Sequence, residues 1–231
     1  MADSTVWMRE GGQYAQEFVP ILCLGRIIFK EELIMQRTNR TVDLTFAALM
    51  TALAIVLSYF PEIPLAFFAP WLKLDFSFTP LLLLGFSVGP GMMVIALLVT
   101  NLVHILGGTT GGPGELANMI MGLAFLLPPT LMYHKNKSRK NALIGMLIGT
   151  VMMVIAGVIA NRYILLPVFF RGNLEEEMAK RGMSMNGYLL GAVVPFNLIK
   201  GAINSLMVFG LYKRLSMLMK EAKDDDTPAV K

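Results

Sequence analysis

The sequence predicts an all-α integral membrane protein, a bundle of six transmembrane helices with both termini in the cytoplasm. Three observations carry this reading. Of 231 residues, 55% are hydrophobic and only 16% are charged, against about 25% charged in soluble domains, so the surplus apolar surface needs lipid rather than a larger core. The apolar residues gather into six runs, several of them divided by Pro- and Gly-rich turns. The basic residues concentrate in alternate connections, as the positive-inside rule requires of a multi-pass chain.

The runs are Asp43 to Tyr59, Thr79 to Val88, Gly91 to Leu106, Glu115 to Tyr133, Asn141 to Phe170 and Tyr188 to Leu215. Pro61 and Pro64 end the first, Gly89-Pro90-Gly91 divides the second from the third, and Gly107 to Gly114 divides the third from the fourth. The second run reaches only about 15 Å at 1.5 Å per residue, half of a ~30 Å hydrocarbon core. It is therefore tilted, joined to part of the preceding loop, or packed inside the bundle. Arg37 and Arg40 precede the first span, Lys135, Lys137, Arg139 and Lys140 follow the fourth, and Lys213, Arg214 and Lys220 close the sixth. An even number of spans puts these nine on one side, the cytoplasm, against Lys73, Arg171, Lys180 and Arg181 on the other, where Glu175, Glu176 and Glu177 offset them.

The flanks differ from the membrane domain, residues 41–215. Residues 1–40 form an N-terminal extension whose apolar stretch, Val19 to Ile28, is short and interrupted by Arg26. It lacks a basic region followed by a small-residue cleavage site, so it is not read as a signal peptide. Two readings stand: an amphipathic surface helix, or a segment upstream of a true start at Met35. Residues 216–231, with Asp224, Asp225 and Asp226, are expected to be a disordered charged tail. The single cysteine, Cys23, excludes an internal disulfide framework and a cysteine metal cluster. The net charge of +4 sits in loops and speaks for orientation in a bilayer rather than nucleic-acid binding.

Against this apolar background stand Asn101, Glu115, Asn118, Asn161, Arg162, Asn197 and Lys200. A charge at the centre of a membrane helix costs on the order of 2.5–3.5 kcal/mol on insertion scales, so a set of polar residues at similar depth reads as a lined cavity. Glu115 and Asn118 fall in the first turns of the fourth helix, three apart and on one face. Asn161 lies about 30 Å along the fifth helix, and Asn197 and Lys200 about 12–18 Å below the outer end of the sixth. Asn204 continues their stripe, and Asn101 falls in the outer half of the third helix. Four helices thus converge on one outward-facing pocket. Blander roles stand beside this one: Glu115 as complement to a helix N-terminus, Asn161 and Asn197 as interhelical glue, and Lys200 as a snorkelling residue. Arg162 points about 100° away from Asn161 and faces headgroups or a carboxylate; His104 and His134 read as interfacial.

No nucleophile-and-base arrangement or metal spacing appears, and no enzymatic activity is expected. The glycine-rich stretch Gly107 to Gly114 lacks the Gly-Lys-Ser/Thr ending of a phosphate-cradling loop. No ATPase signature occurs, so energised transport would have to borrow its motor.

Four stretches resemble riboflavin-specific S components of energy-coupling-factor (ECF) transporters. They are Trp71-Leu72-Lys73-Leu74-Asp75-Phe76-Ser77, Gly114-Glu115-Leu116-Ala117-Asn118, Asn161 with Leu165-Leu166-Pro167, and Pro195-Phe196-Asn197-Leu198-Ile199-Lys200-Gly201. The likeness runs in order from about Thr41 to Arg214. It implies a multi-pass cell-membrane subunit of six helices that captures riboflavin outside, as transported ligand and not cofactor, and hands it to a transmembrane coupling subunit driven by two cytoplasmic ATPases. It further implies Asn161, Asn197 and Lys200 as flavin hydrogen-bonding partners, Glu115 and Asn118 as pocket wall, and the loop through Asp75 and Phe76 as a cover. The family docks on its coupling subunit through a small-xxx-small surface of the first helix, offered here by Ala48 and Ala52. The chain departs from the family pattern in its first 34 residues and in the charged insert Arg171 to Gly187. Another vitamin on the same scaffold, or a self-sufficient secondary transporter coupled through Glu115 or Lys200, are the rival readings, though no internal repeat favours the latter.

Overall fold

The computed structural model describes residues 40–60, 63–64, 72–107, 112–170, 179–180, 182 and 184–225. The N-terminal extension with Cys23 and Met35, Trp71, Gly108 to Gly111, most of the charged insert including Glu175 to Glu177, and residues 226–231 lie outside them. Two compact units divide the chain, Thr45–Lys220 and the combination of Met1–Leu44 with Glu221–Lys231. The first holds the helices and the site considered below; of the second, only the helical stretches 40–44 and 221–225 are described.

Every apolar run becomes a helix. These are α1 (Arg40–Tyr59), α2 (Phe78–Ser87), α3 (Pro90–Gly107), α4 (Pro113–Lys135), α5 (Arg139–Phe170) and α6 (185–225). Among the described residues five helices are long and apolar enough to cross a membrane, α2 being the short one. Between α1 and α2, Ile63–Pro64 (β1) and Lys73–Leu74 (β2) form a two-stranded antiparallel ribbon, Ile63 opposite Leu74, which the sequence does not announce. Serine caps open the last two helices. Ser138 Oγ accepts from Asn141 N at 3.2 Å, and Ser184 Oγ accepts from Gly187 N at 3.0 Å.

Of the three options for α2, the structure shows burial inside the bundle. All its residues from Phe78 to Phe86 are buried, as a helix apolar on every side demands. Phe78 and Phe125 stack with ring centroids 5.9 Å apart. Gly89, at φ 139°, supplies the left-handed turn that sends the chain from α2 directly into α3.

In lipid, helices associate through close packing of small residues rather than through a hydrophobic drive, and α4 and α5 show how. Pro129 has no N–H to give to Phe125 O one turn earlier, so that carbonyl is freed within α4. Gly149 of α5 packs on it: a Cβ there would stand 2.3 Å from Phe125 O, and one on Gly145 would stand 2.4 Å from Pro129 Cα.

The sixth helix runs on to Asp225, past the Leu215 boundary, so residues 216–225 are helical rather than irregular. Leu, Met, Lys, Glu and Ala dominate there, all good helix formers, and no Gly or Pro intervenes before Pro228. Two π turns interrupt otherwise α-helical backbone, Asn161–Leu165 in α5 and Leu189–Val193 in α6. Such turns occur mostly at functional positions, and both lie near the end of the bundle where the polar residues gather.

Candidate functional site

A cavity of about 70 Å³ opens among the ends of α3, α4, α5 and α6 and the β2–α2 connection. Asp75, Glu115, Asn118, Asn161 and Lys200 line it, together with Asn101, His104 and Lys73. Two residues of the expected set do not. Phe76 is half-buried in the β2–α2 connection, and Asn197 is fully buried on α6. Asn197 packs against α5, where a Cβ on Gly157 would lie 2.6 Å from its Nδ2.

Lys200 is the centre of the arrangement. It is 2% exposed, which removes the snorkelling option. Its Nζ donates to Asp75 Oδ2 at 2.7 Å and to Asn118 Oδ1 at 3.1 Å, and stands 4.5 Å from the Phe78 ring centroid. The ammonium thereby meets a carboxylate, an amide and an aromatic face, the partners a cation needs when removed from water. Asp75 is held in turn. Its Oδ1 accepts from Ser77 N at 3.0 Å and from Ser77 Oγ, a local turn that starts α2.

Asn204, which the sequence places on the stripe without a role, anchors this connection to α6. Its Nδ2 donates to Lys200 O at 2.9 Å and Asp75 O at 3.4 Å, while its Oδ1 accepts from Thr79 Oγ1 at 2.8 Å. Asn101 likewise finds a place. Its Nδ2 donates to Leu97 O at 2.8 Å, and its Oδ1 accepts from Asn118 Nδ2 at 3.1 Å. Asn118 therefore bridges Asn101 and Lys200 with its amide fixed in one sense.

Glu115 lines the cavity from the first turn of α4. Oε2 accepts from Gly112 N at 2.9 Å at the start of α4, and Oε1 lies 3.1 Å from His104 Nδ1. His104 thus lines the cavity; its ring also meets Tyr59, centroids 4.7 Å apart. His134, at the opposite end of α4, sits 2.9 Å from Gly85 O. Arg162 is exposed, outside the cavity.

Asn161 stands on the first residue of the π turn and is fully buried. Its Nδ2 donates to Gly157 O at 2.8 Å, and its Oδ1 accepts from Tyr188 OH at 3.0 Å. Sequence reasoning misses Tyr188 as the partner of Asn161. It reads there as the first apolar residue of a span, and only the fold places its hydroxyl against Asn161.

The cavity is thus rich in fixed amides, holds the Asp75–Lys200 pair, Glu115 beside His104, and Lys73, and has apolar walls from Ala117, Met121, Leu165 and Phe196. Residues 42–212 match the family model described as "ECF transporter, substrate-specific component". The chain belongs to that family. This substrate-specific component is therefore a multi-pass membrane protein of a transport system and not an enzyme. It is 32% identical over 191 residues to "Riboflavin transporter RibU" of Staphylococcus aureus, covering 83% of this chain and 97% of the relative. To "Riboflavin transporter FmnP" of Bacillus subtilis it is 26% identical over 187 residues, covering 78% and 95%. A solved structure described as "Structure and mechanism of the S component of a bacterial ECF transporter" superposes with a TM-score of 0.66 at 32% identity. It covers 78% of this chain and 99% of that one.

Proposed function

We propose that this substrate-specific component captures riboflavin from outside the cell and delivers it to a separate transmembrane coupling subunit driven by two cytoplasmic ATPases. In this reading the bundle has six membrane helices with both termini in the cytoplasm, and the cavity faces outward. The observation that carries it is the buried Asp75–Lys200 pair flanked by Asn118 and Asn161, in a chain whose relatives are named riboflavin transporters. An isoalloxazine has apolar faces for Met121, Leu165 and Phe196 and polar edges for the amides.

Asn161 and Lys200 supply hydrogen bonds to the flavin, and Glu115 and Asn118 form the wall. Asn197, which does not line the cavity as it stands, adds a third bond only when flavin binding opens the cavity toward it. Its Oδ1 is buried without a hydrogen-bond partner among the described residues, an acceptor whose desolvation a ligand N–H would relieve. At about 70 Å³ the cavity is smaller than the ~300–1,000 Å³ of small-molecule sites. Flavin binding therefore displaces the connection through Asp75 and Phe76, which then closes over the ligand.

Docking on the coupling subunit uses Ala48 and Ala52. Both are exposed on α1, whereas Ala47, Met50 and Ala54 face the core. Small side chains four apart allow a partner helix to approach closely. With the coupling subunit and ATPases co-expressed, cells are expected to take up labelled riboflavin. Replacing Ala52 by Trp is expected to stop uptake while purified protein still binds riboflavin as the parent does. Uptake at the parental rate in that variant places the docking surface elsewhere, and uptake without any ATPase subunit contradicts the borrowed-motor reading.

A further inference from the structure

The hydrogen bond between Tyr188 and Asn161 joins two interrupted helices. Asn161 opens the π turn of α5, and Tyr188 immediately precedes the π turn of α6. Tyr188 is 2% exposed, and it reaches Asn161 across 27 residues of sequence to place OH 3.0 Å from Oδ1. The other end of the same amide gives Nδ2 to Gly157 O at 2.8 Å. A side-chain amide has two N–H donors and two acceptor lone pairs. Here one of each is spent within the protein, in a way that fixes which atom is oxygen and which is nitrogen. The phenol donates to the oxygen, and the carbonyl can accept only from the nitrogen. One N–H and one lone pair remain, on a residue that lines the cavity.

We propose that Tyr188 is the positioning residue that braces the Asn161 amide, whose sense the Gly157 carbonyl sets, so that its remaining N–H and lone pair are held to read a lactam or imide edge, a C=O beside an N–H, on the bound ligand. The inference rests on the reading of Asn161 as a flavin contact. It adds a residue outside the binding set and a chemical basis for specificity. Without the phenol, Oδ1 loses its internal donor, and the amide is held by the Gly157 carbonyl alone. The amide can then pivot about that one bond, its free N–H and lone pair no longer meet a C=O···H–N pair on the ligand at a fixed angle, and recognition of that edge weakens. Riboflavin carries such an edge in its pyrimidinedione ring, where N3–H lies between two carbonyls.

The test is a double-mutant cycle read by quenching of riboflavin fluorescence, using purified wild type, Tyr188→Phe, Asn161→Ala and the double variant. Tyr188→Phe removes one oxygen and keeps the ring. It is expected to weaken riboflavin binding roughly 3- to 10-fold, the worth of one hydrogen bond, and to have no further effect in the Asn161→Ala background. A second readout is the ratio of affinities for riboflavin and N3-methylriboflavin, which lacks the imide N–H. That ratio is expected to be large in wild type and to shrink in Tyr188→Phe. A packing defect would lower both affinities together, and the ratio is read on the folded fraction alone, so partial loss of fold does not mask it. Unchanged riboflavin affinity in Tyr188→Phe, or equal losses in both backgrounds, overturns the positioning role while leaving Asn161 as a contact. Wild-type affinity in Asn161→Ala overturns the reading of Asn161 itself, and the inference with it.

Discussion

Replacing Lys200 by methionine is expected to destabilise the protein by about 3–5 kcal/mol, the usual cost of removing one partner from a buried ion pair, and to abolish high-affinity riboflavin binding. Methionine keeps most of the length of the side chain but removes the charge that meets Asp75 Oδ2 at 2.7 Å. Asp75 keeps its bonds to Ser77 and is left with a carboxylate oxygen facing the cavity without its cation. Asn118 loses the donor at 3.1 Å. The double change Asp75→Asn with Lys200→Met removes both charges, and most of the stability should return because the two effects are coupled rather than additive. Flavin binding should not return with it. Thermal unfolding in detergent separates these results: recovery of stability without recovery of binding shows Lys200 serving the ligand as well as the fold. A Lys200→Met variant as stable as wild type would mean that the pair is not buried in the working protein.

The second large effect lies far from the cavity. Replacing Gly149 by alanine is expected to cost at least about 3 kcal/mol, at the upper end for overpacking, because its Cβ would meet a backbone oxygen, Phe125 O, at 2.3 Å. Side chains can rotate away from a clash, but the carbonyl of a proline-interrupted helix cannot. Gly145 faces Pro129 Cα at 2.4 Å in the same seam, so alanine there should act similarly. Gly91 is the control, because a methyl group added there would have no neighbour within 4 Å. Alanine at that helical position should be neutral or stabilising by about 0.4–1 kcal/mol. Folded yield and unfolding temperature of the three variants check this. Equal behaviour of Gly91→Ala and Gly149→Ala would contradict the tight α4–α5 seam.

Much of this architecture is legible in the sequence because the bilayer makes exceptions visible. Proline and glycine mark the ends of α1 to α3, and lysine, glutamate and asparagine inside apolar runs expose the site, since hydrocarbon penalises each of them. Lys200, Glu115, Asn118 and Asn161 stand out in this way, and all of them line the cavity. What stays hidden depends on contacts distant in sequence. Nothing local says that Lys200 will meet Asp75, which sits in a loop where a carboxylate carries no penalty. Asn197 shares the helix and the approximate depth of Lys200, yet its side chain turns to Gly157 instead of the cavity. His104 reads as interfacial from its place near the outer mouth, and nothing local announces that it will meet Glu115. The π turns change the helical register by a fraction of a turn that side-chain periodicity does not record. Tyr188 is invisible for the same reason: an aromatic residue at a span's outer end is ordinary until a hydroxyl is placed beside an amide. The extension of α6 escapes sequence reading because a cluster of aspartates near the chain end looks disordered, while the residues before it favour helix.

The central claim, that the polar cavity is a flavin site, is tested most directly by titrating purified protein into riboflavin and following flavin fluorescence, with wild type and Asn161→Ala side by side. Wild type is expected to quench the fluorescence saturably at one flavin per chain. Asn161→Ala, unfolding at the same temperature, is expected to bind about tenfold more weakly or worse, since it leaves the ligand edge and Tyr188 without their partner. Failure of the wild type to quench at all, or superimposable curves for the two proteins, would contradict the assignment.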